Sequence, residues 1–169
     1  MTPVYRFAVR ADLYQEEDQF LPTKSDPEAT GFDVRCAEPE GVTITPFQYS
    51  KIRLGFRAFP PEGWWFELRP RSSSHAKKNL HCLYGVIDET YENELIFSCQ
   101  YLPEKPLIDP ISMSVPPPLK IGFGERIGQI IPVKRQEMVV QKVTNEDFDE
   151  LCKKRNAQRN GGLGSTGDK

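Results

Sequence analysis

The chain has 169 residues, enough for one domain with a real core and too few for two comfortable ones. Its 38% apolar and 27% charged residues are ordinary for a soluble globular protein, and no apolar run approaches the roughly 20 residues of a membrane span. A formal net charge of −2 supplies no basic field for a nucleic-acid backbone, so neither nucleic acid nor membrane is expected as a partner.

Short runs rich in β-branched and aromatic residues dominate the pattern: Val4–Val9, Phe32–Cys36, Tyr49–Arg57, Trp64–Leu68, Leu95–Gln100, Ile127–Val133 and Met138–Val143. Ile52, Leu54 and Phe56 alternate with Arg53, Gly55 and Arg57, as a strand with one buried face requires. Many short strands separated by glycine, proline and polar clusters predict an all-β sandwich or jelly roll. One short helix is expected to start near Thr144, where Thr144 and Asp147 form a capping-box-like pair and Phe148, Leu151 and Cys152 share a face. The proline-rich stretch at about 101–120 reads as a projecting loop inserted in a domain spanning 1–154. Residues 155–169, polar and glycine-rich, read as a flexible C-terminal arm. Cys36, Cys82, Cys99 and Cys152 form no C-x-x-C pair, and only His75 and His81 could join them at a zinc ion. They are expected to be reduced thiols in a cytoplasmic protein, or a nuclear one if the source is eukaryotic or viral.

Three segments carry chemistry. In Pro70-Arg-Ser-Ser-Ser74 a forked cation stands beside hydroxyls, a donor set for phosphate oxygens, although alone it is a turn with a surface arginine. In Gly85-Val-Ile-Asp-Glu-Thr-Tyr91 a carboxylate follows an apolar strand, where partial desolvation suits a general base; Asp88 and Glu89 should point to opposite faces of the strand. In Gly161-Gly-Leu-Gly-Ser-Thr-Gly167 bare amides and two hydroxyls could wrap a phosphate. The tail is not a P-loop, since Asp168 stands where lysine is needed and no helix follows.

In order along the chain these segments resemble the five motifs of trimeric dUTP pyrophosphatases. Thr30-Gly-Phe-Asp-Val34 is similar to the first, Pro70-Arg-Ser-Ser73 to the second and Gly85–Tyr91 to the third. Gly124-Glu-Arg-Ile-Gly-Gln129 is similar to the fourth and Gly161–Gly167 to the fifth. The resemblance implies a jelly-roll-like fold and hydrolysis of dUTP to dUMP and pyrophosphate, which supplies dUMP and keeps uracil out of DNA. It implies Asp88 as the general base that primes water against the α-phosphorus, and Tyr91 as a ring against the deoxyribose. Cys82, Tyr84, Gly85 and Val86 would meet the uracil, and Arg71, Ser72, Ser73 and Gln129 the phosphates. Arg159, Leu163, Gly164, Ser165 and Thr166 would close over base and phosphates. It further implies one Mg²⁺, assisted by Asp33 through water, and a homotrimer whose sites are shared between subunits. The chain departs from the family at Leu163, where a phenylalanine is usual, at Thr90 and Glu92-Asn93, and at Arg159, one residue out of register.

Two alternatives share the pattern. A dCTP deaminase would need a catalytic glutamate and an arginine where this chain has Ser98 and Ala76, and it tends to have tryptophan where Tyr91 stands. A non-catalytic regulatory binder would have no reason to keep Asp88, Tyr91 and Gln129 together.

Overall fold

The computed structural model describes residues 2–104 and 115–155. In chain order the elements are β1 (Arg6–Val9), a 3₁₀ turn (Ala11–Glu16), α1 (Glu17–Phe20), β2 (Phe32–Arg35), β3 (Val42–Ile44), β4 (Tyr49–Arg53), β5 (Phe56–Phe59), β6 (Trp64–Pro70), α2 (Ser72–Lys78), β7 (Leu80–Cys82), β8 (Gly85–Ile87), β9 (Ile96–Tyr101), β10 (Leu119–Ile121), β11 (Arg126–Lys134) and α3 (Asn145–Lys154). The chain forms two units, Met1–Arg135 and Gln136–Lys169. Among the described residues no helix is long and apolar enough to cross a membrane.

The first unit is built from small antiparallel sheets. A four-stranded sheet has the order β2-β11-β6-β8 and a three-stranded sheet the order β4-β9-β7; β1 pairs with β5, and β3 with β10. Ile52, Leu54 and Phe56 are each fully buried, as their alternation predicts, and pack with Val34, Phe66, Leu68, Phe97 and Ile130 in one core. The predicted strand Tyr49–Arg57 is nevertheless two strands. Gly55 has φ +82°, and a Cβ there would lie 2.7 Å from both Ala37 and Leu13, so the chain turns at a residue only glycine fits.

The all-β reading holds, and most of the predicted strands form. Met138–Val143 does not: the segment pairs with no strand among the described residues, and Met138, Val139 and Val140 are 81%, 94% and 83% exposed. β-Propensity alone does not make a strand, because the backbone groups need a hydrogen-bonding neighbour. The predicted helix starts where expected, with Thr144 Oγ1 accepting from Asp147 N–H at 3.1 Å. Its apolar face is uncovered in the single chain, with Phe148 57% and Leu151 51% exposed. The proline-rich stretch begins in β9 and ends in β10; its residues 105–114 lie outside the described residues.

Gly128 marks a tight crossing between β11, β6 and β9. It follows a register irregularity in β11, and a Cβ there would meet Phe97 Cε2 at 2.8 Å and Arg69 O at 3.0 Å. Because the backbone on one side cannot yield, Gly128→Ala should cost about 1–3 kcal/mol, the usual penalty for overpacking, read as a lower denaturation midpoint. An unchanged midpoint would mean that β11 and β9 are not packed this closely.

Candidate active site

Strand β11 lies between β2 and β6, and its register sets out the first half of the site. Gln129 faces Asp33 on one side and Arg69 on the other, so the three side chains share one row and one face of the sheet. The opposite face is core, as the burial of Phe66, Leu68, Ile127 and Ile130 requires. Asp33 is only 8% exposed, yet it is not isolated: Oδ1 lies 3.1 Å from Arg71 Nε and Oδ2 3.2 Å from Arg126 Nη1. Residues from β2, β11 and the end of β6 therefore meet at a single carboxylate. Gln129 Nε2 donates to Pro70 O at 3.3 Å, and a Cβ at Gly31 would collide with Gln129 Oε1. The glycine of the first motif makes room for the glutamine of the fourth.

The three serines after Arg71 separate by role. Rather than a bare turn, Ser72–Lys78 is a helix ending at Asn79, whose φ is +51°. Ser74 is 3% exposed, and its hydroxyl donates to Ile127 O at 2.8 Å, which pins α2 to β11. Ser72 is exposed and Ser73 half-buried, and among the described residues neither hydroxyl is spent on a protein partner.

The second half of the site lies at the far end of the same sheet. Ile87 pairs with Phe66, which puts the next residue, Asp88, beside Trp65. Asp88 and Glu89 stand in the turn after β8 and not within it, and they differ sharply. Glu89 Oε2 accepts from Gly63 N–H at 3.0 Å and pairs with Arg135 at 2.9 Å. Asp88 is exposed, and its carboxylate makes no hydrogen bond or ion pair among the described residues. It opens on a cavity of about 290 Å³ lined by Trp64, Trp65, Val86, Glu89, Thr90 and Arg135. The expected desolvation of Asp88 is not supplied by this chain alone. Tyr91 is half-buried with its ring on the core; its N–H donates to Asp88 O at 3.1 Å and its hydroxyl to Glu94 O at 3.2 Å. On its other side a larger groove of about 840 Å³ runs between Tyr91 and the apolar residues Phe7, Ala58 and Phe59.

The segment expected to meet the base runs from the end of β7 into β8. Leu83 N–H is already donated to Ser98 O at 2.9 Å, so it is not free for a ligand. The Tyr84 ring is 65% exposed and carries the Arg69 guanidinium 5.5 Å from its centre. Val86 is 64% exposed. Burial pushes the Cys82 thiol up to about 12, so it is a neutral side chain at the edge of this segment.

Arg71 and Gln129 thus come together at Asp33, with Ser72 and Ser73 next to Arg71 in the chain, while Asp88 and Tyr91 do not join them. From Trp65, beside Asp88, to Arg69, opposite Gln129, is about 13 Å along β6 at roughly 3.3 Å per residue, and Arg71 lies beyond the strand's end. Arg126, in the fourth motif, is the member not singled out by sequence; its spacing of three residues before Gln129 gave no sign that it would pair with Asp33. Arg159, Leu163, Gly164, Ser165 and Thr166 lie outside the described residues. No group of three or more metal-ligating side chains occurs among the described residues.

No protein-family model matches the sequence. A deoxyuridine 5′-triphosphate nucleotidohydrolase of Hydrogenobaculum sp. is 35% identical over 158 residues, covering 90% of this chain and 94% of the relative. A mutant dUTPase from the S. aureus phage phi11, described with a structural Mg(II) ion, superposes with a TM-score of 0.65 at 19% identity, over 83% of this chain and 96% of the other. A mutant dUTPase of Staphylococcus bacteriophage 80alpha with dUpNHpp superposes with a TM-score of 0.68 at 20% identity, over 84% of this chain and 97% of the other. Identity of this extent along nearly both whole chains places this protein in the deoxyuridine 5′-triphosphate nucleotidohydrolase family.

Proposed function

We propose that this protein hydrolyses dUTP to dUMP and pyrophosphate at sites assembled between the subunits of a homotrimer. One observation carries the shared site: Asp88 lies beside Trp65, while the Asp33–Gln129 row and Arg71 lie four to six residues further along the same chain segment, about 13–20 Å at roughly 3.3 Å per residue. A general base acts within hydrogen-bond reach or through one water, so both halves cannot act on one phosphorus unless they come from different copies. The exposure of Val86 beside Asp88 supports the same reading, since a partner would cover it and partly desolvate the carboxylate.

In this reading Asp88 takes a proton from water as its oxygen attacks the α-phosphorus, and pyrophosphate leaves in line. Arg71 and Ser72 hold phosphate oxygens, Arg71 aimed by its ion pair with Asp33, and Gln129 orients the α-phosphate. Tyr91, its hydroxyl spent on Glu94 O, presents a fixed ring that leaves no space for a 2′-hydroxyl. The donor set fits only a cation carried in by the triphosphate: Asp33 is the one carboxylate in the phosphate cluster, and both its oxygens face guanidinium groups. It would reach Mg²⁺ through water, as suits an ion that keeps its hydration shell. When bound, Mg²⁺ would offset the charge that develops on the triphosphate. Deamination of dCTP is less well served, since Ser98 and Ala76 offer neither acid nor cation.

Pyrophosphate release from dUTP, with dTTP, dCTP and UTP as controls, tests the activity itself; ammonia release from dCTP would reverse the assignment. Asp88→Asn should lower kcat at least ~100-fold with dUTP binding retained. Full turnover would remove Asp88 from its role. The shared site is tested by mixing two inactive proteins, Asp88→Asn and Arg71→Ala. Random reassembly should restore about a quarter of the sites if each takes Asp88 and Arg71 from different copies of a closed ring. No recovery, with mixed assemblies verified by mass, would put both residues in one chain's site. Asp33→Asn leaves two guanidinium groups without their shared anion, and kcat/KM should fall roughly 10- to 100-fold. In a double-mutant cycle with Arg71→Ala the losses should be far from additive; additivity would mean that Asp33 does not work through Arg71.

A further inference from the structure

Cys82 and Cys99 face each other directly across β7 and β9. The hydrogen bonds on either side fix the kind of pair they make. Leu83 N–H donates to Ser98 O at 2.9 Å and Leu102 N–H to Asn79 O at 3.0 Å, so 83/98 and 79/102 are bonded pairs. Counting inward from either bond, 82/99 is a non-bonded pair, the type in which opposing Cα atoms approach to about 4.5 Å and side chains come closest. That spacing lies inside the range of about 4.4–6.8 Å that a disulfide spans. Both side chains lie on the core-facing side with Leu80 and Phe97, and both are free thiols. Cys99 is 1% exposed, whereas Cys82, at the end of its strand, is half-buried and within reach from outside.

We propose that Cys82 and Cys99 form a dithiol that a low-molecular-weight disulfide such as oxidised glutathione closes into a cross-strand disulfide, weakening recognition of the base. The step balances as two exchanges. The Cys82 thiolate attacks the reagent, forming a mixed disulfide and releasing one thiol. The Cys99 thiolate then attacks Cys82 Sγ and releases the second. Two electrons and two protons pass from the protein to the reagent. The ring so closed contains Gly85, Asp88 and Tyr91, and its N-terminal anchor is the first residue of the base-recognition segment. Drawing Cys82 Cβ toward the buried Cys99 turns the peptide groups that follow it. Because burial raises both thiols, Cys82 to about 12 and Cys99 to about 11, little thiolate exists at neutral pH and closure is slow. The pair answers sustained oxidation and ignores brief exposure.

This inference rests on the reading that the segment from Cys82 to Gly85 meets uracil. The full-length assembled protein is incubated for hours with oxidised glutathione, then digested and mapped by mass spectrometry, with kcat and KM for dUTP measured in parallel. A Cys82–Cys99 link should appear, lowering the chain mass by about 2 Da, and dithiothreitol should reverse it. KM should rise about fivefold, the weight of one misaligned hydrogen bond, with kcat less affected. Cys82→Ser should form no link and show no oxidant-dependent change in KM. Absence of the link, a lasting glutathione adduct on Cys82 without closure, or a link with unchanged KM overturns the inference. A reduced protein that does not prefer dUTP to dCTP instead overturns the reading of the base segment.

Discussion

Asp33 brings a negative charge to a position where only 8% of the residue meets solvent, and that charge has to be answered. Leaving one such carboxylate unpaired would cost several kcal/mol, so Arg71 and Arg126 are electrostatic requirements as much as ligand-binding groups. The carboxylate thereby connects three segments far apart in sequence: β2, the start of α2, and β11. Ser74, bonded to Ile127 O, holds the same junction from the other side of the helix. The cluster carries one negative and two positive charges, a balance that favours an anion in the space above it. A phosphate chain entering there would meet donors already aimed, and aimed donors lose little freedom on binding.

The same sheet that brings these groups together also keeps Asp88 away. β6 is one continuous strand from Trp64 to Pro70; β8 pairs with its middle, running antiparallel so that Asp88 falls toward Trp65, while α2 follows its other end. No loop motion closes a gap set by a ladder of backbone hydrogen bonds. In the second unit Met138–Val143 pairs with no strand among the described residues, and Phe148 and Leu151 of α3 are exposed.

Much of the fold was legible because alternation is a strong signal wherever a strand is long enough. Ile52, Leu54 and Phe56 are buried as their spacing predicts, and the Thr144 cap forms with its predicted partner. The three-residue strands β3, β7, β8 and β10 were not all legible, because three residues hold too little of a period to be read. Helix α2 was missed for a related reason: Ser72–Lys78 carries no apolar stripe, and it is held by the buried hydroxyl of Ser74 and by the ion pair of Lys78 with Glu125. In the site, the motifs single out candidate residues, but sequence carries no record of which of them share a row. Arg126 stands opposite Arg35 and reaches Asp33 across the register irregularity of β11, and only a sheet shows that.

The turn after β8 explains how the departures from the family pattern can be borne there. Glu89 is fixed by Gly63 N–H and Arg135, while Tyr91 is fixed by Asp88 O through its amide and by Glu94 O through its hydroxyl. Glu94 in turn accepts from Gly55 N–H and Arg10. These bonds run through positions 89, 91 and 94, and leave Thr90, Glu92 and Asn93, where the chain differs from the family, outside the scaffold of the turn. Asp88 is therefore flanked by anchored neighbours while its own carboxylate remains unspent. In the proposed role, a carboxylate with no internal partner among the described residues competes with none for a proton. The substitutions fall where the turn's geometry does not depend on side-chain identity, so the carboxylate keeps its place although the sequence around it has changed.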